Sequence, residues 1–207
     1  MRTLAIETAT EACSIALFEG DNLIAHDHQE IGRGHAERLI PMVANLPRKG
    51  RSDRIFVSLG PGSFTGVRIG IASARALGFA WQTKVIGYPT LALVAAMALE
   101  RERSEVTVCM NGGHGEWFVQ DFAADGSSAS RLASLTPEQA VRRSHGHYIA
   151  GNRAHALAEI SAAPREVFET LPDARQCLSI LEAHFTSDLA PIYGRHPDAK
   201  PLVQPAS

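Results

Sequence analysis

The chain has 207 residues, 45% of them hydrophobic and 20% charged, with a net charge of −2. This is the balance of a globular protein, either one large domain or two small lobes, with enough apolar residues for a core. The lack of a basic stripe argues against a chain that grips RNA by itself, and the longest apolar stretch, Val85 to Leu99 interrupted by Pro89, falls short of the ~20 residues that span a bilayer.

In chain order, Thr3 to Ile6 and Cys13 to Phe18 read as strands around a polar turn, Thr8 to Glu11. Glu7 and Glu11 break any secretory leader there. Asn22 to Asp27 reads as a third strand. His35 to Leu46 follows as a helix, with Leu39, Met42, Val43 and Leu46 at helical spacing and Pro41 as a kink point. Arg48 to Asp53 is a polar link. Arg54 to Leu59 reads as a strand, Gly60 to Gly66 as a glycine-rich loop, Val67 to Gln82 as a helix, Val85 to Tyr88 as a strand and Thr90 to Arg101 as a helix. The charged stretch Arg101 to Ser104 marks a boundary between residues 1–101 and 102–207. A second hairpin then appears, Val106 to Met110 and Glu116 to Phe122 around Asn111 to Gly115, as a duplicated lobe would give. Thr136 and Pro137 open a helix as N-cap and first residue. Ala154 to His184 reads as mainly helical, broken near Pro164 and Pro172, and Pro191 to Ser207 as a surface tail. Cys13, Cys109 and Cys177 form no CxxC pair and read as reduced thiols of a cytoplasmic protein.

The block Gly60-Pro-Gly-Ser-Phe-Thr-Gly-Val-Arg-Ile-Gly70 carries the most information. Gly60, Gly62, Ser63, Thr65 and Gly66 join a strand to a helix, which makes a candidate anion loop. It has neither the lysine of a Walker A loop nor the GxGxxG spacing, and a tight turn packed closely by glycines is the simpler reading. In the helix after it, Arg68, Arg75 and Gln82 form a narrow stripe on an otherwise apolar surface rich in small residues. Such a helix is buried on more than one side, either within its own domain or against a second protein, and the arginine stripe favours the second. The expected partner face is Leu39, Met42, Val43 and Leu46 together with Val67, Arg68, Ile71, Ala74, Arg75 and Gly78, with two helices from each protein forming a four-helix contact.

Ile6 to Ser14, His35 to Pro41 and, above all, Gly60 to Gly70 resemble the TsaB (YeaZ-like) family, which is related to TsaD and to M22-like glycoproteases. Gly115 to Val119 and Pro191 to Arg195 match its later landmarks. The resemblance implies an α/β fold of the ASKHA class (actin-like, Hsp70-like), two lobes each with a mixed sheet and flanking helices. It implies a non-catalytic cytoplasmic subunit that activates a TsaD-type enzyme forming the threonylcarbamoyl group on adenosine 37 of tRNAs reading codons that begin with A. The implied partners are TsaD, a TsaE-type ATPase through it, and a second copy of the chain when alone, with tRNA met only indirectly and no membrane. No cofactor is expected in the isolated chain; ATP or ADP is expected only at the junction with TsaD.

Two alternatives are a stand-alone ASKHA-type ATPase or kinase and a metallopeptidase. Against the first, the family has Asp where this chain has Glu7 and Asn111, so Glu7, Thr8 and Asn111 are expected to form a vestigial nucleotide site. Against the second, the HxxxH metal pair of TsaD-like relatives is broken here, with Leu39 four residues after His35. The pairs His26/His28 and His145/His147 lack a third ligand, and Ser63 and Thr65 lack an evident base.

Overall fold

The computed structural model describes residues 1–144 and 146–194. The chain opens with a meander, β1 (Arg2–Glu7), β2 (Ala12–Glu19) and β3 (Asn22–Glu30). Next come helix α1 (His35–Asn45), strand β4 (Arg54–Ser58), helix α2 (Phe64–Trp81), strand β5 (Lys84–Tyr88) and helix α3 (Thr90–Arg101). The second half repeats the plan with β6 (Val106–Gly113), β7 (Glu116–Phe122), β8 (Ala133–Leu135), α4 (Pro137–Arg143), β9 (Tyr148–Ala150), α5 (Ala154–Glu159) and β10 (Glu166–Phe168).

The two sheets have the same topology. The first runs β3-β2-β1-β4-β5 and the second β10-β9-β6-β7-β8, each with an antiparallel meander on one side and parallel strands on the other. The repeated hairpins of the sequence are thus repeated lobes, and the architecture is the two-lobed ASKHA fold. Among the described residues no helix is long and apolar enough to cross a membrane.

Strand alternation decides what each face covers. Leu4 and Ile6 of β1, with Cys13, Ile15 and Leu17 of β2, turn toward α1 and α2 and join Leu39, Val43, Val67 and Ile71 in one core. Ala5, Ala16, Phe18 and Phe56 turn the other way and meet α3, whose opposite side packs on Val106, Val108 and Phe122 of the second sheet. Helix α3 is therefore sandwiched between the sheets, which is why its sequence from Leu91 to Ala98 is uniformly apolar and buried.

Several sequence expectations meet corrections here. The glycine loop is shorter than expected, because α2 begins at Phe64 with Ser63 as its N-cap. The stretch 154–184 is not mainly helical. Only α5 is an α-helix; Glu166–Phe168 is a strand, and Ala174–Ser179 and Glu182–His184 are 3-10 turns. This segment returns to the first lobe, where Ala174 donates its N–H to Ser14 Oγ at 3.0 Å and Gly87 bridges to Thr186. A path that shuttles between lobes leaves no room for a regular helix. The expectations for His145 and for residues 195–207 lie outside the described residues.

Candidate functional site

The most specific sequence block is explained by packing. Gly62, Gly66 and Gly70 stand one turn apart and meet the β1–β2 turn. A Cβ at Gly62 would lie 2.0 Å from the Ala9 carbonyl oxygen, one at Gly66 2.1 Å from that of Thr8, and one at Gly70 2.4 Å from Thr8 Oγ1. Only glycine lets α2 come this near the turn. The contact is polar as well, since Thr8 Oγ1 donates to the Gly66 carbonyl at 2.8 Å and Ser63 N–H to the Ala9 carbonyl at 2.6 Å. The start of α2 is capped within the chain, where Ser63 Oγ accepts the Gly66 N–H at 3.2 Å.

The start of α2 borders a cleft of about 770 Å³ between the lobes. The β1–β2 turn forms one lip and the β6–β7 turn, Asn111 to His114, the other. Asn152 joins them. Its Nδ2 donates to Glu11 Oε1 at 2.9 Å and its Oδ1 accepts the Asn111 N–H at 2.8 Å. The returning segment closes one side. Ile192 donates its N–H to the Leu59 carbonyl at 2.7 Å, and Tyr193 stacks on Phe64 at 5.8 Å.

Glu7, Thr8 and Asn111 are not brought together. Asn111 lines the cleft, whereas Glu7 and Thr8 are buried. Glu7 shares the β1 face of Ala5, which turns toward α3, and its Oε1 accepts the Ala9 N–H at 2.6 Å. Burial raises its pKa from 4.5 to about 7, with the Ala9 N–H and the Ser58 hydroxyl pulling the other way. A carboxyl in this position is a core residue of the lobe and not part of the cleft. The expected vestigial site of three residues is corrected accordingly. His35 is buried too, with Nε2 3.2 Å from the Ala12 carbonyl oxygen. Among the described residues no three His, Cys, Asp or Glu side chains gather as a metal-holding group.

The expected partner face is also corrected. Leu39, Met42, Val43, Leu46, Val67, Ile71, Ala74 and Gly78 are all buried within the chain, under their own helices and against the first sheet. A partner does not reach them. The arginines of the stripe are exposed but engaged. Arg68 lies 3.4 Å above the Phe64 ring and donates to the Tyr193 hydroxyl at 2.8 Å, while Arg75 donates to the Leu189 carbonyl at 3.4 Å. The outer faces of α1 and α2, which pack side by side, carry other residues: Ile40 at 45% exposure, Phe79 at 89%, and Ala36, Ala72 and Ala76. The sequence signal for these lay in the stripe itself, because Ala72, Ala76 and Phe79 flank Arg68 and Arg75 on the helical wheel and a charged stripe marks the side turned to solvent.

Comparison with known proteins fits this geometry. A family model described as "TsaD: tRNA N6-adenosine threonylcarbamoyltransferase" matches residues 25–167. The tRNA threonylcarbamoyladenosine biosynthesis protein TsaB of Escherichia coli (strain K12) is 37% identical over 131 residues, covering 60% of this chain and 56% of that protein. The chain thus spans about half the length of the curated relatives it matches. The structure titled YeaZ from Pseudomonas aeruginosa superposes with a TM-score of 0.77 at 28% identity, covering 93% of this chain and 99% of that one. The ethanolamine utilization protein EutJ from Carboxydothermus hydrogenoformans, at 10% identity and a TM-score of 0.51 over 87% of this chain and 89% of that one, shares the fold alone.

Proposed function

We propose that this chain, which belongs to the TsaB (YeaZ-like) branch of the TsaD family, serves in tRNA threonylcarbamoyladenosine biosynthesis as a non-catalytic subunit. In this reading it binds and activates a TsaD-type enzyme that forms the threonylcarbamoyl group on adenosine 37 of tRNAs reading codons that begin with A. It meets a TsaE-type ATPase through TsaD, pairs with itself when alone and works in the cytoplasm. ATP or ADP belongs at the junction with TsaD, and tRNA is held chiefly by the larger subunit.

The observation that carries the reading is the outer face of α1 and α2. Phe79 is almost fully exposed beside the small residues Ala72 and Ala76, on a helix whose inner side is already satisfied by its own sheet. An exposed aromatic among alanines offers an anchor and a close approach for another helix pair. The stand-alone ATPase and metallopeptidase readings gain no such support. Glu7 is withdrawn into the core and the His35 ring is sequestered behind α1.

The test is co-purification of the tagged chain with TsaD from its own cell, using Phe79→Asp and Ala72→Trp. Both positions face outward, so both variants are expected to fold as judged by far-UV circular dichroism, to bind TsaD at least about tenfold more weakly, as loss of an interface hot spot does, and to fail to restore the modified nucleoside in a depleted cell. Ala74→Trp would be the wrong probe, since Ala74 is fully buried in the chain's own core. Parent-like binding by both outward variants would place the partner surface elsewhere.

A further inference from the structure

A row of polar side chains crosses the first sheet on the face turned to α3. Glu7 of β1 stands opposite Ser14 of β2, and Ser14 opposite His28 of β3. On the other side of Glu7, Ser58 of β4 follows the Ile6–Val57 pair, and Tyr88 of β5 stands beside Ser58. Residues in register point to the same face, so these five share one level of the sheet. Two residues further along the strands that face is apolar, with Ala5, Ala16 and Phe56. Polar groups set into such a core are costly unless they are satisfied.

The row is covered by the segment that returns from the second lobe. Residues Ala174–Ser179 pack across β1, β2, β3 and α3. Ser14 Oγ donates to Asp173 Oδ1 at 3.3 Å and accepts the Ala174 N–H at 3.0 Å, so Ser14 joins the row to the return segment twice. Asp173 Oδ2 takes the Arg175 Nε–H at 2.8 Å and lies 3.7 Å from His28 Nδ1. Beyond this point the segment bridges to Gly87 through Thr186 and reaches the cleft wall at Ile192.

The members of the row differ in how well they are satisfied. The Ser58 and Thr90 hydroxyls bond each other at 2.6 Å, and the Tyr88 hydroxyl donates to the Ile6 carbonyl at 2.9 Å. Glu7 Oε1 holds the Ala9 N–H, but Oε2 has no partner among the described residues. A fully buried carboxyl with one oxygen unpartnered costs far less neutral than charged, and burial raises its pKa to about 7. The titratable groups around it hold one charge state through the neutral range. Burial pushes Cys13 up to about 11, and Tyr88 and Cys177 well above their usual ranges. At Asp173 burial acts upward but is outweighed by the Arg175 bonds and by His28, so its pKa is lowered. His28 faces Asp173, on the far side of Ser14 from Glu7. When Glu7 ionises, two carboxylates therefore stand on either side of the Ser14 hydroxyl, which has one proton to donate.

We propose that this row is a proton-dependent latch between the lobes, which holds Asp173 and Ala174 on Ser14 while Glu7 is protonated and loosens them as Glu7 ionises. Docking is strongest below the unfolded value of 4.5 and weakens as pH rises through about 7. A protonated His28 acts in the same direction, since it adds positive charge beside Asp173. The latch stands whether or not the partner reading holds.

The test follows the Ala174 amide by hydrogen exchange in the full chain at pH 5, 6.5 and 8, each rate corrected for the intrinsic pH dependence of exchange. Protection of Ala174 is expected to fall at least about tenfold from pH 5 to pH 8, with a ceiling of about seventyfold if opening returns Glu7 fully to water. A local opening shows as protection below that set by global unfolding in urea at the same pH. Glu7→Gln keeps the shape without a titrating proton and is expected to hold Ala174 near its pH 5 protection throughout. Ser14→Ala removes the bridge and is expected to lower Ala174 protection about tenfold at pH 5, as loss of a buried hydrogen bond does. His28→Gln is expected to keep the parent's fall with pH. The proposal is overturned if Ala174 protection in the parent is flat with pH or follows global unfolding alone. It is equally overturned if Glu7→Gln keeps the parent's slope, if Ser14→Ala protects Ala174 like the parent, or if His28→Gln abolishes the fall.

Discussion

Replacing Glu7 with glutamine isolates the energetic consequence of a carboxyl placed where water does not reach. Glu7 is the last residue of β1 and fully buried; its Oε2 has no partner among the described residues. Burial raises its pKa from 4.5 to about 7. A carboxyl that holds its proton more tightly in the folded than in the unfolded chain stabilises the fold while protonated. That contribution is complete below the unfolded value of 4.5 and is lost as pH rises through about 7. At 1.36 kcal/mol for each pH unit between the two states, ionisation by pH 9 costs about 3 kcal/mol. Glutamine has nearly the same shape and never ionises. Glu7→Gln is therefore expected to exceed the parent by less than about 1 kcal/mol at pH 5, where the unfolded carboxyl has begun to ionise, and by about 3 kcal/mol at pH 7 and pH 9, read from urea unfolding with linear extrapolation at pH 5, 7 and 9. A gap between variant and parent that stays constant across that range would refute the reasoning, because only a titrating Glu7 makes it grow with pH.

Two further outcomes follow from the packing. Gly66→Ala drives a methyl to 2.1 Å from the Thr8 carbonyl oxygen, a backbone atom that has no alternative rotamer; the loss of stability is expected at or above the ~1–3 kcal/mol of ordinary overpacking, and a parent-like urea midpoint would show that α2 does not press on the turn. Burial pushes Cys13 up to about 11, Cys109 up to about 12 and Cys177 well above its usual range, so a thiol reagent at pH 8 is expected to label these cysteines only at the rate of unfolding, and rapid labelling of the native chain would contradict their burial.

The elements of the first lobe were legible because each satisfies a local rule. The strands β1 and β2 are apolar runs around a hydroxyl-rich turn, and α3 spans Thr90–Arg101 as its unbroken apolar run predicts. Thr136 caps α4, as its place before Pro137 signalled, and the structure adds a reciprocal bond with Gln139. What escaped was set by distant contacts. The strands β8, β9 and β10 are three residues each, too short for alternation to register, and they exist because β7, β6 and β9 respectively offer edges to pair with. The stretch after Pro172 reads as helix-like because its apolar residues must cover α3 and β2 in irregular steps, and such spacing imitates a helical period.

The site was legible as a motif and misread as a surface. A block of glycines before a helix has two physical uses, to cradle an anion or to admit another backbone, and local sequence does not distinguish them. The choice was made by Thr8 and Ala9, more than fifty residues earlier, whose carbonyls fill the space that side chains at Gly62 and Gly66 would occupy. The same holds for α2 as a whole. Its wheel is apolar nearly all round, so the wheel alone points equally to burial within the chain and to burial against a partner. The sheet settles the matter by taking the Val67, Ile71, Ala74 and Gly78 side for its own core, which leaves the arginine stripe with Ala72, Ala76 and Phe79 on the outside. On a helix of this kind the charged residues mark the exposed edge, and the small and aromatic residues beside that edge, not the larger aliphatics turned to the sheet, are the ones left open to solvent.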